Sequence, residues 1–239
     1  MRKGRGTGVA LRKAPPSPHH LPVRGLLPSL LVTAAVAVAA QGVAPPREAH
    51  SRLFRPEDLG ILESPDRDEW QQPEQVMDAL GIAEGSTVAD VGAGGGWFTV
   101  RLARRVGPNG RVFAQDIQPQ MIEAIKRRVE REGLTNVTTV LGSTGDPRLP
   151  DNLRAVLIVD TYPQVADPVA LLKHVARKLA PNGRLAIVDF KRDGAGGPGP
   201  PLAERLDPDA IKRDAAQAGL TLRSQENFLR YQYLLVFGK

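Results

Sequence analysis

The sequence contains no cysteine, which removes disulfides, thiolate metal sites and a cysteine nucleophile together. Histidine is nearly as scarce, with only His19, His20, His50 and His174 present. Two of these lie in a basic leader and His174 stands alone in a helical run, so no imidazole spacing supports a metal site. Acids are missing from the first 46 residues, where Arg2, Lys3, Arg5, Arg12, Lys13 and Arg24 occur. These six match the whole formal net charge of +6, and the rest of the chain is formally neutral. Phosphate-backbone binding needs clustered positive charge, so a nucleic-acid partner is not expected for the domain.

What is present divides the chain into three parts. Residues 1–45 pair a positive start with the short apolar run LLPSLLVTAAVAVAA from Leu26 to Ala40, followed by small residues suited to cleavage. This pattern predicts export, to the periplasm or outside, or an uncleaved membrane tether. A start codon assigned too far upstream would instead leave the domain cytoplasmic. Residues 46–81 form an N-terminal cap segment ending in a helix from Pro73, with Val76, Met77 and Leu80 on one face. Residues 82–239 alternate strands and helices, as a domain with a mostly parallel sheet does. Ordinary hydrophobic content of 41% is enough to fill its core.

The stretch Thr87 to Val100, TVADVGAGGGWFTV, reads as a buried strand, a glycine-rich turn and a helix start. A dinucleotide-binding turn would place its third glycine at position 97, which is Trp. The spacing present is Asp90-x-Gly92-x-Gly94-x-Gly96, and an acid ahead of the glycines suits a cationic ligand better than a pyrophosphate. This resembles the first motif of the class I S-adenosylmethionine-dependent methyltransferases. The resemblance implies a small-molecule methyltransferase with S-adenosyl-L-methionine as cofactor, held by Asp90, Gly92, Ala93, Gly94, Gly96, Trp97, Asp116, Ile117, Ser143 and Asp146.

Asp116 ends the second strand, roughly 20 residues past the glycines, where an open parallel sheet brings a carboxylate beside the ligand. Two carboxylate oxygens can accept both hydroxyls of a ribose; capping of the helix that opens at Pro119 is an equally physical role. Asp146, with Ser143 and Thr144, is the adenine-side candidate by resemblance. The fourth strand, Ala155 to Asp160, ends in Asp160, Thr161 and Tyr162, where the family's acceptor site lies. Pro163 stands near a position that often carries histidine in that family, so Asp160 and Tyr162 are the acceptor-side catalytic candidates, with packing as the other reading of Tyr162. Trp70 and Gln72 either help cover the cofactor or anchor the N-terminal helix. The segment DGAGGPGPP, residues 193–201, is a lid over the crevice or a plain linker. His174 reads as a boundary residue.

Two strand-like stretches, Thr221 to Phe228 and Tyr231 to Phe237, are too close for a helical crossover and predict a hairpin. The expected fold is therefore a three-layer α/β sandwich around a seven-stranded, mostly parallel sheet closed by a C-terminal antiparallel hairpin. That is the Rossmann-like methyltransferase arrangement, not the all-parallel nicotinamide one. The alternative function is a non-catalytic exported module that binds a nucleoside or a partner. Neither the acceptor nor an oligomeric state is encoded in a motif.

Overall fold

Strand residues alternate between two buried faces, which explains why the strands read as continuous apolar runs. Ala89 and Val91, Val156 and Ile158, Leu185 and Ile187, and Tyr233 and Leu235 fill one core. Their neighbours Val88, Leu157, Ala186, Val188, Leu234 and Val236 fill the other. A computed structural model describes residues 52–193 and 197–239, all within one compact unit of residues 44–239. The leader, with its export or tether reading, lies outside the described residues.

The elements are α1 (Arg67–Gln71), α2 (Pro73–Ala79), β1 (Thr87–Val91), α3 (Trp97–Val106), β2 (Arg111–Asp116), α4 (Pro119–Arg131), β3 (Val137–Leu141), β4 (Leu153–Val159), α5 (Pro168–Lys178), β5 (Leu179–Phe190), α6 (Pro208–Gln217), β6 (Thr221–Glu226) and β7 (Gln232–Gly238), with a 3-10 segment, Pro56–Glu63, ahead of them. The strand order is β3-β2-β1-β4-β5-β7-β6. Neighbours from β3 to β5 are parallel, and β7 runs antiparallel to both β5 and β6. Helices α2 and α3 cover one face through Val76, Met77, Phe98 and Leu102, while α5 and α6 cover the other through Leu172, Val175, Ile211 and Ala215. The cap segment is not separate, because Val76, Met77, Leu80 and Ile82 pack in the same core as Val88.

The fifth strand is unusual in its first half. It begins at Leu179 and runs through Pro181-Asn182-Gly183, a sequence that reads as a breaker. Between the pairs Leu153–Leu179 and Ala155–Arg184 the strand carries extra residues, so the proline falls in a bulge where it need not donate to a ladder. Gly183 is required there, since a Cβ would sit 2.6 Å from the Leu153 carbonyl oxygen.

The reversal of strand order between β1 and β4 is the topological switch point, where ligands enter open α/β sheets.

Candidate functional site

The glycine turn leaves β1 at this switch point and meets the end of β4. Gly92 has φ +71, and a Cβ on it would lie 2.3 Å from Thr161 Cγ2. Thr161 shares its hydroxyl hydrogen between the carbonyls of Val159 (2.9 Å) and Gly92 (3.2 Å), which ties the two strand ends together. Between them opens a cavity of about 280 Å³. Asp116 stands on its wall, accepting from Gly94 N–H at one oxygen and Gln118 N–H at the other, both at 3.0 Å. Both expected roles of Asp116 are thus compatible, because each oxygen keeps a further lone pair for a hydroxyl. Asp90 is buried and accepts from Thr99 Oγ1 at 2.6 Å.

Asp160 is placed by backbone strain. It follows the last residue of β4 with φ +53, which turns its carboxylate away from the face that alternation would give it. There it accepts from Gln232 Nε2 at 2.5 Å and Gln71 Nε2 at 3.3 Å. Arg67 completes the group by donating from Nε to Gln71 Oε1 (2.5 Å) and from Nη1 to the Leu62 carbonyl (2.6 Å). Its guanidinium lies 4.2 Å from the Trp97 ring centroid, with that of Arg101 at 3.4 Å. One strand over, Asp189 is fully buried, and one of its oxygens has no hydrogen-bond partner. Burial and the nearby Asp160 charge push Asp189 well above the usual carboxylate range.

Among the described residues, three aspartates line the cavity and Arg67 is its only lysine or arginine. Burial raises Asp90 and Asp160 to about 6 and raises Asp116 as well; the Arg67 charge and the amide donors limit the rise at Asp160. No group of three or more potential ligands among the described residues is arranged to hold a metal ion. The consequence for pH has two signs. A cationic ligand should bind about tenfold more weakly at pH 5 than at pH 7, because Asp90 and Asp160 protonate in that interval. Stability of the unliganded protein should run the other way, greatest below the unfolded aspartate value and lost as pH rises through about 6. Titration calorimetry and urea melts at pH 5, 6 and 7 check both signs.

The mouth is strapped by the segment before α1. Phe54 N–H donates to Gln164 Oε1 (3.2 Å) and its carbonyl accepts from Gln118 Nε2 (3.1 Å), so one residue bridges the two sides of the crevice. Phe54, Leu59 and Leu62 add an apolar roof, and Glu63 pairs with Arg128 on α4.

Of the residues expected at the cofactor site, Asp90, Gly92, Ala93, Gly94, Trp97, Asp116, Ile117 and Ser143 line the cavity, as does Asp160 on the acceptor side. Gly96 lies behind it, starting α3 with φ +80 against Ile125. Two expectations are corrected. Tyr162 does not face the crevice; it is buried in the core, its hydroxyl 3.1 Å from Asp214 Oδ2. Asp146 turns back to its own loop, accepting from Arg148 N–H and standing 3.8 Å from His174 Nδ1. Trp70 is an anchor, against Phe190 and Tyr231, and Gln72 bonds to the Phe228 carbonyl. The described part of the glycine- and proline-rich segment lies outside the cavity wall, held by Arg205 through the carbonyls of Pro198 and Pro200. Arg67, Gln71 and Gln232 were not foreseen; in the sequence only an arginine and two glutamines flag them.

Fold and site define a doubly wound α/β protein with an anionic, glycine-floored crevice at its switch point. Residues 88–183 match the family model described as a methyltransferase domain. A ubiquinone/menaquinone biosynthesis C-methyltransferase, UbiE, from Pasteurella multocida is 31% identical over 118 residues, covering 48% of this chain and 44% of that protein. An arsenite methyltransferase from Halobacterium salinarum is 31% identical over 131 residues, covering 54% of this chain and 32% of that protein. The chain thus spans less than half the length of either relative. A solved SAM-dependent methyltransferase from Aquifex aeolicus superimposes with a TM-score of 0.73 at 29% identity, covering 77% of this chain and 98% of that one. Residues 88–183 thus carry a methyltransferase domain, and in fold and sequence the chain is similar to the class I S-adenosylmethionine-dependent methyltransferases.

Proposed function

We propose that the protein transfers a methyl group from S-adenosylmethionine to a small organic acceptor. The observation that carries this reading is the clustering of Asp90, Asp116 and Asp160 around a glycine-floored cavity with one cation, a donor set that fits a positively charged nucleoside. The cofactor supplies a methyl group already activated on sulfur. The chain's residues have the remaining tasks. Asp116 accepts from the ribose hydroxyls, the backbone of Gly92 to Gly94 with Asp90 receives the ammonium end, and Ile117 and Met121 offer an apolar wall to the base. Asp160, poised near neutrality, takes the proton that an acidic acceptor releases. The roof of Phe54, Leu59 and Leu62 excludes water.

The two relatives' names point to different acceptors, a quinone precursor and arsenite. Trivalent arsenic is a soft centre that favours thiolates, and this chain has none. The apolar roof favours a carbon-based acceptor.

The test is calorimetric titration of S-adenosylhomocysteine into the full chain. Micromolar binding is expected, weakened about 100-fold in Asp116→Ala, the equivalent of two lost charge-assisted hydrogen bonds, with no binding of NADH. Absence of binding to the folded protein, or equal binding by the variant, would sink the proposal.

A further inference from the structure

The opposite edge of the sheet, where β4 and β5 begin and β7 ends, carries a second concentration of charge. Arg154, Arg184, Arg223 and Lys239 converge on a groove of about 700 Å³, and no acidic residue lines it. Several basic side chains elsewhere are matched, Arg101 with Asp68, Arg104 with Glu132, Arg105 with Glu74 and Asp78, and Lys178 with Asp151, whereas here unmatched ones converge. Among the described residues the four groove cations have no carboxylate side chain within the 4.0 Å of an ion pair. In a domain that is formally neutral past its leader, this is a local excess and not a general basicity.

The four are also held in place. Arg154 donates to the Asn182 carbonyl (2.7 Å), Arg184 to that of Ala79 (3.1 Å), Lys239 to that of Leu179 (2.5 Å) and Arg223 to that of Lys239. Arg154 and Arg184 approach each other around Gly81, each with a guanidinium nitrogen within 4.0 Å of where its Cβ would stand. Each arginine spends one N–H group on the main chain and keeps the others. Fixing like charges side by side is unfavourable without a counter-charge. For Arg154, Arg184 and Lys239 the rotamers are set by neutral carbonyls, so their remaining donors are pre-organised for an anion.

We propose that this groove binds a phosphate group. Paired guanidinium forks match a tetrahedral oxyanion with several acceptor oxygens, and four cations can balance a multiply charged one. The phosphate belongs either to a free small molecule or to a lipid headgroup. The site lies at the far end of the strands from the crevice, so the inference is independent of the methyl-transfer reading.

The experiment uses the full chain with two probes at about 20 mM ionic strength, where surface charges are little screened. One is inorganic pyrophosphate by calorimetry; the other is co-sedimentation with phosphatidylglycerol vesicles, against phosphatidylcholine vesicles. The expected result is binding to at least one probe, reduced at least about tenfold in R154Q/R184Q for the loss of two charge-assisted contacts. S-adenosylhomocysteine affinity should stay at the parent level. Pyrophosphate binding assigns a free phosphate; vesicle binding alone, with the same loss in the variant, assigns a headgroup. If the double variant melts below the parent, R223Q carries the same comparison, since it leaves the Arg154 and Arg184 contacts with the main chain in place. Binding of neither probe, or binding unchanged by the substitutions, as vesicle capture by the basic leader alone would give, overturns the proposal.

Discussion

Gly92→Ala is expected to lose S-adenosylhomocysteine binding and to cost about 3 kcal/mol of stability. Two effects add. Residue 92 has φ +71, a conformation that costs a residue with a Cβ roughly 1–2 kcal/mol. The new methyl would also fall 2.3 Å from Thr161 Cγ2 and 2.4 Å from Thr161 Oγ1, and overpacking of this kind typically costs 1–3 kcal/mol. Thr161 cannot simply withdraw, because its hydroxyl is bonded to the carbonyls of Val159 and Gly92 and its neighbour Asp160 is fixed by two glutamines. Separation of β1 from β4 would therefore displace both cofactor-side and acceptor-side walls. Urea unfolding and calorimetry check the prediction, with Gly92→Ala/Thr161→Gly as the informative partner. That double variant should recover the part due to the clash and keep the part due to φ.

Arg67→Ala is the other large change, with about 3–5 kcal/mol of stability lost, since a buried and a part-buried acceptor are left unsatisfied at about 1–3 kcal/mol each and the Asp160 carboxylate loses a favourable charge. Arg67 is 7% exposed and is the main influence that holds Asp160 down. Without it Gln71 Oε1 and the Leu62 carbonyl lose their donor, and Asp160 and Asp90 both lose the positive charge that lowers them. Burial also lowers the Arg67 pKa, a cost that removal would recover, which is why the lower end of the range is the better guide. Asp160 should then titrate higher, moving the onset of cation binding to more alkaline pH. Arg67→Lys should restore charge but not the forked contacts, giving intermediate stability. Thermal melts together with binding measured from pH 5 to 8 separate the packing loss from the electrostatic one.

The layered fold was legible because its signals are local. The short apolar run at Thr87 to Val91, helix-opening prolines at 73, 119, 168 and 208, and the closely spaced final strands each act within a few residues. The glycine turn and Asp116 were legible for the same reason, since a turn and the end of the next strand are set by the chain's own geometry. The acceptor side was not. Asp160 reaches Gln71 across 89 residues and Gln232 across 72, and no period or spacing encodes such a meeting. Tyr162 misled because its place after β4 suggests the crevice, whereas the short 3-10 turn Tyr162–Gln164 rotates it inward and leaves Gln164 at the mouth. The breaker Pro181-Asn182-Gly183 misled because a bulge absorbs what would stop a regular strand.

The position of β7 bears on how the molecule is made. It is an interior strand, hydrogen-bonded to β5 on one side and β6 on the other, and Leu234, Leu235, Val236 and Phe237 contribute to both cores. Until synthesis has passed Gly238 the sheet lacks this insert, β5 has an open edge, and β6 has nothing to pair with. Closure of the sheet therefore waits on a strand that is late in the order of synthesis but interior in space, and every earlier strand must remain unaggregated until it arrives.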